Sequence, residues 1–160
     1  MPQINEHLKW CLKDPRRLIK TKEDLELAQK HIKKSEYNYM VLQKLENLKI
    51  YDWALNIGFY SIYHCFLAIL AKYGYESRNQ ACTMTVLLNL INEGKLNLDK
   101  DLVVQFDTLD VEKDITNPTA RESRELSTYG VETSIDLQQL NKIKELALKV
   151  QKETIRILGE

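Results

Sequence analysis

Glycine and proline are scarce in this chain, five and three in 160 residues. So few turn-formers disfavour a many-stranded sheet, whose reversals need them. Cysteine is sparse too. Cys11, Cys65 and Cys82 stand far apart, a spacing that suggests neither a disulfide framework nor a metal knuckle and that fits a reduced, cytoplasmic setting. Net charge is missing: 23 basic side chains balance 23 acidic ones. That balance argues against coating nucleic acid by bulk attraction, although a local basic patch survives it. The start, MPQINEHLKW, carries charge and no apolar run, so no secretory leader is expected. A glycine-rich phosphate loop, a His-x-x-x-His pair and a cysteine cluster are all lacking. Nucleotide triphosphatase and zinc readings therefore have no support, and neither a cofactor nor a metal is expected.

Long uncharged runs are also few. Residues 53–71 form one of nineteen, close to the length of a membrane span. Asn56, Tyr60, Ser61, Tyr63 and His64 interrupt it, and Asp52 and Lys72 bound it tightly. The run reads as a buried central helix, since a helix apolar all round is normal inside a bundle. No membrane association is expected.

What is present is helical periodicity. A short amphipathic piece (Ile4, Leu8, Cys11, Leu12) ends at Asp14-Pro15. Thr21-Lys-Glu-Asp24 reads as a capping box launching a helix over about 22–48, with Leu25, Ala28, Ile32, Ser35, Tyr39 and Leu42 on one face. A second helix, about 51–73, has three usable faces. One is a row of small residues (Ala54, Gly58, Ser61, Cys65, Ala68), one a ridge (Trp53, Ile57, Tyr60, His64, Leu67), and one an apolar ridge (Leu55, Phe59, Ile62, Phe66, Ile69). The small row lets a neighbouring backbone come close, because Gly58 in mid-helix otherwise costs about 1 kcal/mol relative to Ala.

Gly74 ends that helix as a cap, and a polar loop over 75–80 follows. A third helix covers about 82–93 and stops at Gly94. Asp99 caps a fourth, with Leu102, Val103, Phe106 and Leu109 inward. A second capping box, Thr133-Ser-Ile-Asp136, opens the last helix, whose stripe is Leu140, Ile143, Ala147, Val150 and Ile157. The expected architecture is all-α: an up-and-down bundle of four to five main helices over 21–160, preceded by an N-terminal extension over 1–20.

Single histidines carry little. His7 and His31 fall on surface-like positions and read as solvated; His64, among Tyr60, Tyr63 and Leu67, reads first as a hydrogen-bonded core residue and second as a site candidate. Cys65 belongs to the small row and reads as packing. Trp53 and the tyrosines at helical spacing read as core before they read as a stacking platform.

One segment differs. Residues 120–130, ARESRELSTYG, place two arginines, two glutamates, three serine or threonine hydroxyls and a tyrosine behind Asn117-Pro118. The aromatic hub YDWALNIGFYSIYHCFLAILAKYGYESRN, the polar-faced helix before it and ARESRELSTYG before a terminal amphipathic helix together resemble the HEPN domain superfamily over about residues 21–158. That resemblance implies an RNA-linked function. Many members are metal-independent endoribonucleases, toxins or defence effectors that work as dimers and are often partnered with a minimal nucleotidyltransferase. Their motif is Arg, four to six residues, then His, with Tyr two residues later in one branch. The cation holds the scissile phosphate and the His moves a proton.

Arg121 matches the motif arginine and Tyr129 the trailing tyrosine, but Ser127 stands where the histidine belongs and Arg124 is an added cation. The candidate catalytic positions are therefore Arg121, Ser127 and Tyr129. The candidate phosphate ligands are Arg121, Arg124 and Tyr129, with His64 secondary. A serine at ordinary pKa does not shuttle protons at neutral pH, so the motif reads as degenerate, binding without efficient cleavage. A structural reading stays open beside it: Arg121, Glu122, Arg124 and Glu125 as ion pairs on an exposed helical turn, worth about 0.2–0.5 kcal/mol each. The expected protein is a cytoplasmic homodimer binding RNA or a nucleotide-like ligand. An active ribonuclease and a helical interaction scaffold are the alternatives.

Overall fold

A computed structural model of the chain describes residues 2–106 and 137–160. Helix α1 spans Pro2–Leu12, and a turn at Asp14 then reverses the chain. Asp14 accepts from the backbone and guanidinium of Arg16, which together hold its carboxyl down at about 2. Strand β1 (Leu18–Lys20) follows, and Asp24 starts helix α2 (Leu25–Asn47) by accepting from Leu27 N at 2.9 Å. The cap is thus Asp24 itself, where Thr21 was expected. Thr21 instead donates its backbone N–H to Gly74 O at 2.7 Å, at the end of a strand pair that the sequence pattern did not reveal.

Helix α3 (Tyr51–Lys72) returns antiparallel to α2. Gly74, at φ +82°, closes it as expected, a conformation that admits glycine at no steric cost. Residues Tyr75–Ser77, expected as loop, form strand β2, antiparallel to β1 with Leu18 opposite Ser77 and Lys20 opposite Tyr75. Helix α4 (Gln80–Asn92) is capped by Asn79, which accepts from Cys82 N at 3.0 Å, and stops at Gly94 with φ +72°. A short α5 (Lys100–Phe106) and a long α6 (Leu137–Leu158) complete the described elements. The architecture is predominantly helical, as expected, with a two-stranded ribbon added. Leu109 and the Thr133–Asp136 capping box lie outside the described residues.

The hub is α3. Its apolar ridge Leu55, Phe59, Ile62, Phe66 and Ile69 is fully buried, and Phe106 of α5 stacks on Phe59 at 4.6 Å between ring centres. Its small row is buried as well. A Cβ on Gly58 would lie 2.5 Å from Ile143 Cγ2 of α6 and 2.9 Å from Leu42 Cδ1 of α2, so glycine is what lets three helices meet there. One turn further, Ser35 Oγ donates to Ser61 O at 2.6 Å and Ser61 Oγ donates back to Ser35 O at 2.9 Å. Gln151 of α6 reaches Ser35 Oγ at 3.0 Å and Ser61 Oγ at 3.3 Å. Reciprocal bonds of this kind satisfy each buried hydroxyl and set the register of α2 against α3. Cys65 Sγ sits 3.1 Å from Ser35 Oγ, and burial pushes its thiol up to about 12, which makes it packing rather than a nucleophile.

By length and composition α3 could cross a membrane, yet 67% of its apolar window is buried against the rest of the chain. The remaining ridge is less covered than expected. Trp53 is 55% exposed, while Ile57, Tyr60, His64 and Leu67 are half-buried.

Parts of α1 and β1 reach the core. Cys11 and Leu18 belong to the main apolar cluster, and Cys11 of α1 is disulfide-bonded to Cys82 of α4. The absence of disulfides expected from scattered cysteines is therefore corrected. Spacing along the chain does not register two residues 71 apart that the fold makes neighbours.

Candidate functional site

The antiparallel register of α2 and α3 brings two histidines together. With Ser35 opposite Ser61, a turn back along α2 reaches His31 and a turn forward along α3 reaches His64. Their Nδ1 atoms are 2.9 Å apart, with the rings tilted by 33°. His31 is thus a paired, half-buried residue, not the solvated one its position suggested. His64 has a hydrogen-bond partner, as its setting inside the hub implied.

A bond between two Nδ1 atoms needs one donor and one acceptor, so the pair is stable only when at least one imidazole is neutral. Burial lowers the pKa of both. His64 falls to about 4 through burial first, then through the neighbouring charges of His31 and Lys34. His31 is lowered by burial, with Glu76 pulling the other way. At neutral pH the pair is uncharged, each ring keeping its Nε2 for other partners.

Beside the pair lies a groove of about 220 Å³, lined by Leu27, His31, Leu67, Tyr75, Glu76, Ser77 and Arg78. Strand pairing puts these residues there. Arg78 N donates to Arg17 O at 2.9 Å, continuing the ladder past β2, and β1 and β2 together hold the groove's polar edge against α2 and α3. Lys20 lies over the Tyr75 ring at 4.1 Å. The groove offers one guanidinium, one carboxylate, one hydroxyl, one phenol and an imidazole on a floor of two leucines. Its volume, below the roughly 300 Å³ at which pockets for drug-sized ligands begin, suits a phosphoryl or ribosyl fragment rather than a folded nucleic acid.

A larger groove of about 610 Å³ between α5 and α6 is lined by Asp99, Asp101, Lys149, Lys152, Glu153 and Arg156 among others. Its arginine is already engaged. Arg156 pairs with Glu153 and Glu160, each at 2.6 Å, and donates to Asn97 O, which leaves it little capacity for an anion.

No family model matches this chain, and no curated protein does.

Arg121, Arg124, Ser127 and Tyr129 lie outside the described residues, as does the Asn117-Pro118 break before them. Of the candidate residues, His64 alone is described. Tyr75, Glu76 and Arg78 were not singled out in the sequence, and His31 was placed on the surface. The recoverable signal was Ser35 and Ser61, small polar residues on facing stripes. Once these are set opposite one another, His31 and His64 follow one turn away. His7 was also misread. Its Nδ1 is 2.6 Å from Thr85 Oγ1 and 3.9 Å from Cys11 Sγ, and its ring stacks on Trp10 at 5.4 Å.

Proposed function

We propose that this chain is a HEPN-like helical protein that works as a homodimer, with a minimal nucleotidyltransferase as partner. It binds RNA or a nucleotide-like ligand without cleaving it efficiently. The observation that carries the reading is the groove beside the His31–His64 pair, where the Arg78 guanidinium and the His31 imidazole stand together, a cation and a polar ring suited to phosphate and ribose oxygens. The sequence adds Arg121, Arg124 and Tyr129, with Ser127 in place of the proton carrier. The long α2, the aromatic-rich α3 and the terminal α6 packed on it supply the helical frame that the reading needs.

A second reading draws on a specific observation. Two adjacent imidazoles could supply the acid and base that Ser127 cannot, and the protein would then be a metal-independent endoribonuclease. One set of measurements separates the two. Binding of a short single-stranded RNA and of nucleoside monophosphates is measured for wild type, Arg78→Ala, Arg121→Ala and His64→Ala. RNA cleavage in chelator is followed alongside. Loss of a charge-assisted phosphate contact should weaken binding about 10–100-fold in either arginine variant. Cleavage should stay slow in wild type and rise in Ser127→His, since a missing acid or base typically costs about 10²–10⁴-fold. Fast metal-free cleavage by wild type that is lost in His64→Ala would replace the first reading with the second. Binding that is indifferent to both arginines would remove both, leaving a helical scaffold.

A further inference from the structure

Helix α1 carries His7 and Cys11 one turn apart on the face that meets α4, and Cys82 sits in the first turn of α4 opposite them. A ring nitrogen of His7 and the two sulfurs all lie within 4.8 Å of one another. Two sulfurs and an imidazole are the donor set that zinc-class cations prefer, softer than the oxygen sets of magnesium or calcium. A tetrahedral ion with metal–sulfur bonds of about 2.3 Å and metal–nitrogen bonds of about 2.0–2.1 Å spreads its ligand atoms over about 4 Å. The backbones already stand at that scale, with Cα atoms of Cys11 and Cys82 5.8 Å apart, so side-chain rotation suffices. His7 Nδ1 donates to Thr85 Oγ1, whose own hydroxyl proton goes to Ala81 O at 2.9 Å, so in this tautomer the lone pair offered to an ion is on Nε2. The dipole of α4 also favours an anionic sulfur at Cys82, in its first turn.

We propose that His7, Cys11 and Cys82 form a redox-gated site for a zinc-class divalent cation, closed as the disulfide and open to the ion once the disulfide is reduced. The reductant is a dithiol. It delivers two electrons and two protons and ends as its own disulfide, while the Cys11–Cys82 bond breaks to two thiols. On binding, those thiols release two protons as two sulfur–metal bonds form, and His7 supplies the third bond from a nitrogen lone pair. The fourth position of a tetrahedral ion is left to solvent. Both cysteines are fully buried and His7 is half-buried, so the ion enters from the His7 side. In either state α1 stays fastened to α4. Reduction without metal unfastens it.

The test uses the full chain and cobalt(II) as a spectroscopic stand-in for zinc. Oxidised protein should show no thiolate-to-cobalt charge-transfer band. Protein reduced with a phosphine should take one cobalt per chain, show that band together with the ligand-field absorption of a tetrahedral site, and release the cobalt to zinc. Cys82→Ser should abolish the band. His7→Asn should weaken binding by more than about 100-fold, beyond what loss of an outer-shell partner costs. A reduced protein without the band overturns the proposal, as does a band that survives in the Cys11→Ser, Cys82→Ser double variant. Should those variants fail to fold, alkylation of reduced wild type read by peptide mass decides. Zinc should protect Cys11 and Cys82 together, and equal alkylation with and without zinc overturns the proposal.

Discussion

At the residue scale the described chemistry turns on His31 and His64. Each is ordinary alone; together they exclude a second proton from a half-buried position. A depressed histidine pKa has a defined consequence for stability. Between pH 6.5, where the unfolded histidine titrates, and about 4, where folded His64 does, the unfolded state binds more protons than the folded one. The contribution of this pair is complete above pH 6.5 and drains away as pH falls toward 4. The urea midpoint should therefore decline over that window. His64→Gln, which keeps a polar side chain and cannot titrate, should flatten the decline relative to wild type. Parallel pH profiles for the two proteins would show that the pair does not control acid stability. His64 is half-exposed, so solvent screening makes the effect smaller than that of a fully buried group.

At the element scale the determining contact is α3 with its two long partners. Gly58 has no space for a side chain. Ile143 is β-branched and stiff at χ1, so its Cγ2 cannot turn away cheaply, whereas the end of Leu42 is more yielding. Gly58→Leu should force α3 from α2 and α6 and destabilise the fold by roughly 1–3 kcal/mol through overpacking. Urea denaturation checks this, and an unchanged midpoint would mean that the helices do not meet at Gly58. The same packing explains the reciprocal Ser35–Ser61 bonds: with no bulk between helices, hydroxyls reach facing backbones directly. The β1–β2 ribbon is a different kind of element, three residues a side, too short to stand alone. It persists because Leu18 is buried in the core and because Thr21 and Asp24 donate their backbone N–H groups to Gly74 O and Ala71 O at the end of α3.

For the whole molecule the expectation is a homodimer, argued from the proposed HEPN likeness and from apolar surface the described bundle leaves outside. Trp53, Leu48, Tyr37 and Met40 are each more than two-fifths exposed on the α2–α3 hairpin. Sedimentation at micromolar concentration should report a species of about twice the 18.8 kDa chain mass. A clean 18.8 kDa species would remove the dimer and, with it, any site that two subunits share.

Helical periodicity, the glycine stops at 74 and 94 and the three-faced hub were legible in the sequence, because each is a local matter of 3.6-residue spacing or a single backbone conformation. The start of α2 was legible to within a few residues, since Asp24 and Thr21 are both capable caps and the ribbon decided between them. What only the tertiary structure decided are the pairs formed across the chain: Cys11 with Cys82, His31 with His64, β1 with β2. Each joins residues 33 or more apart whose types carry no mark of their partner. Helix register is set by which side chains interlock, here Ser35 with Ser61 and Gly58 with Ile143. That is a property of two surfaces in contact, and one surface read alone does not contain it.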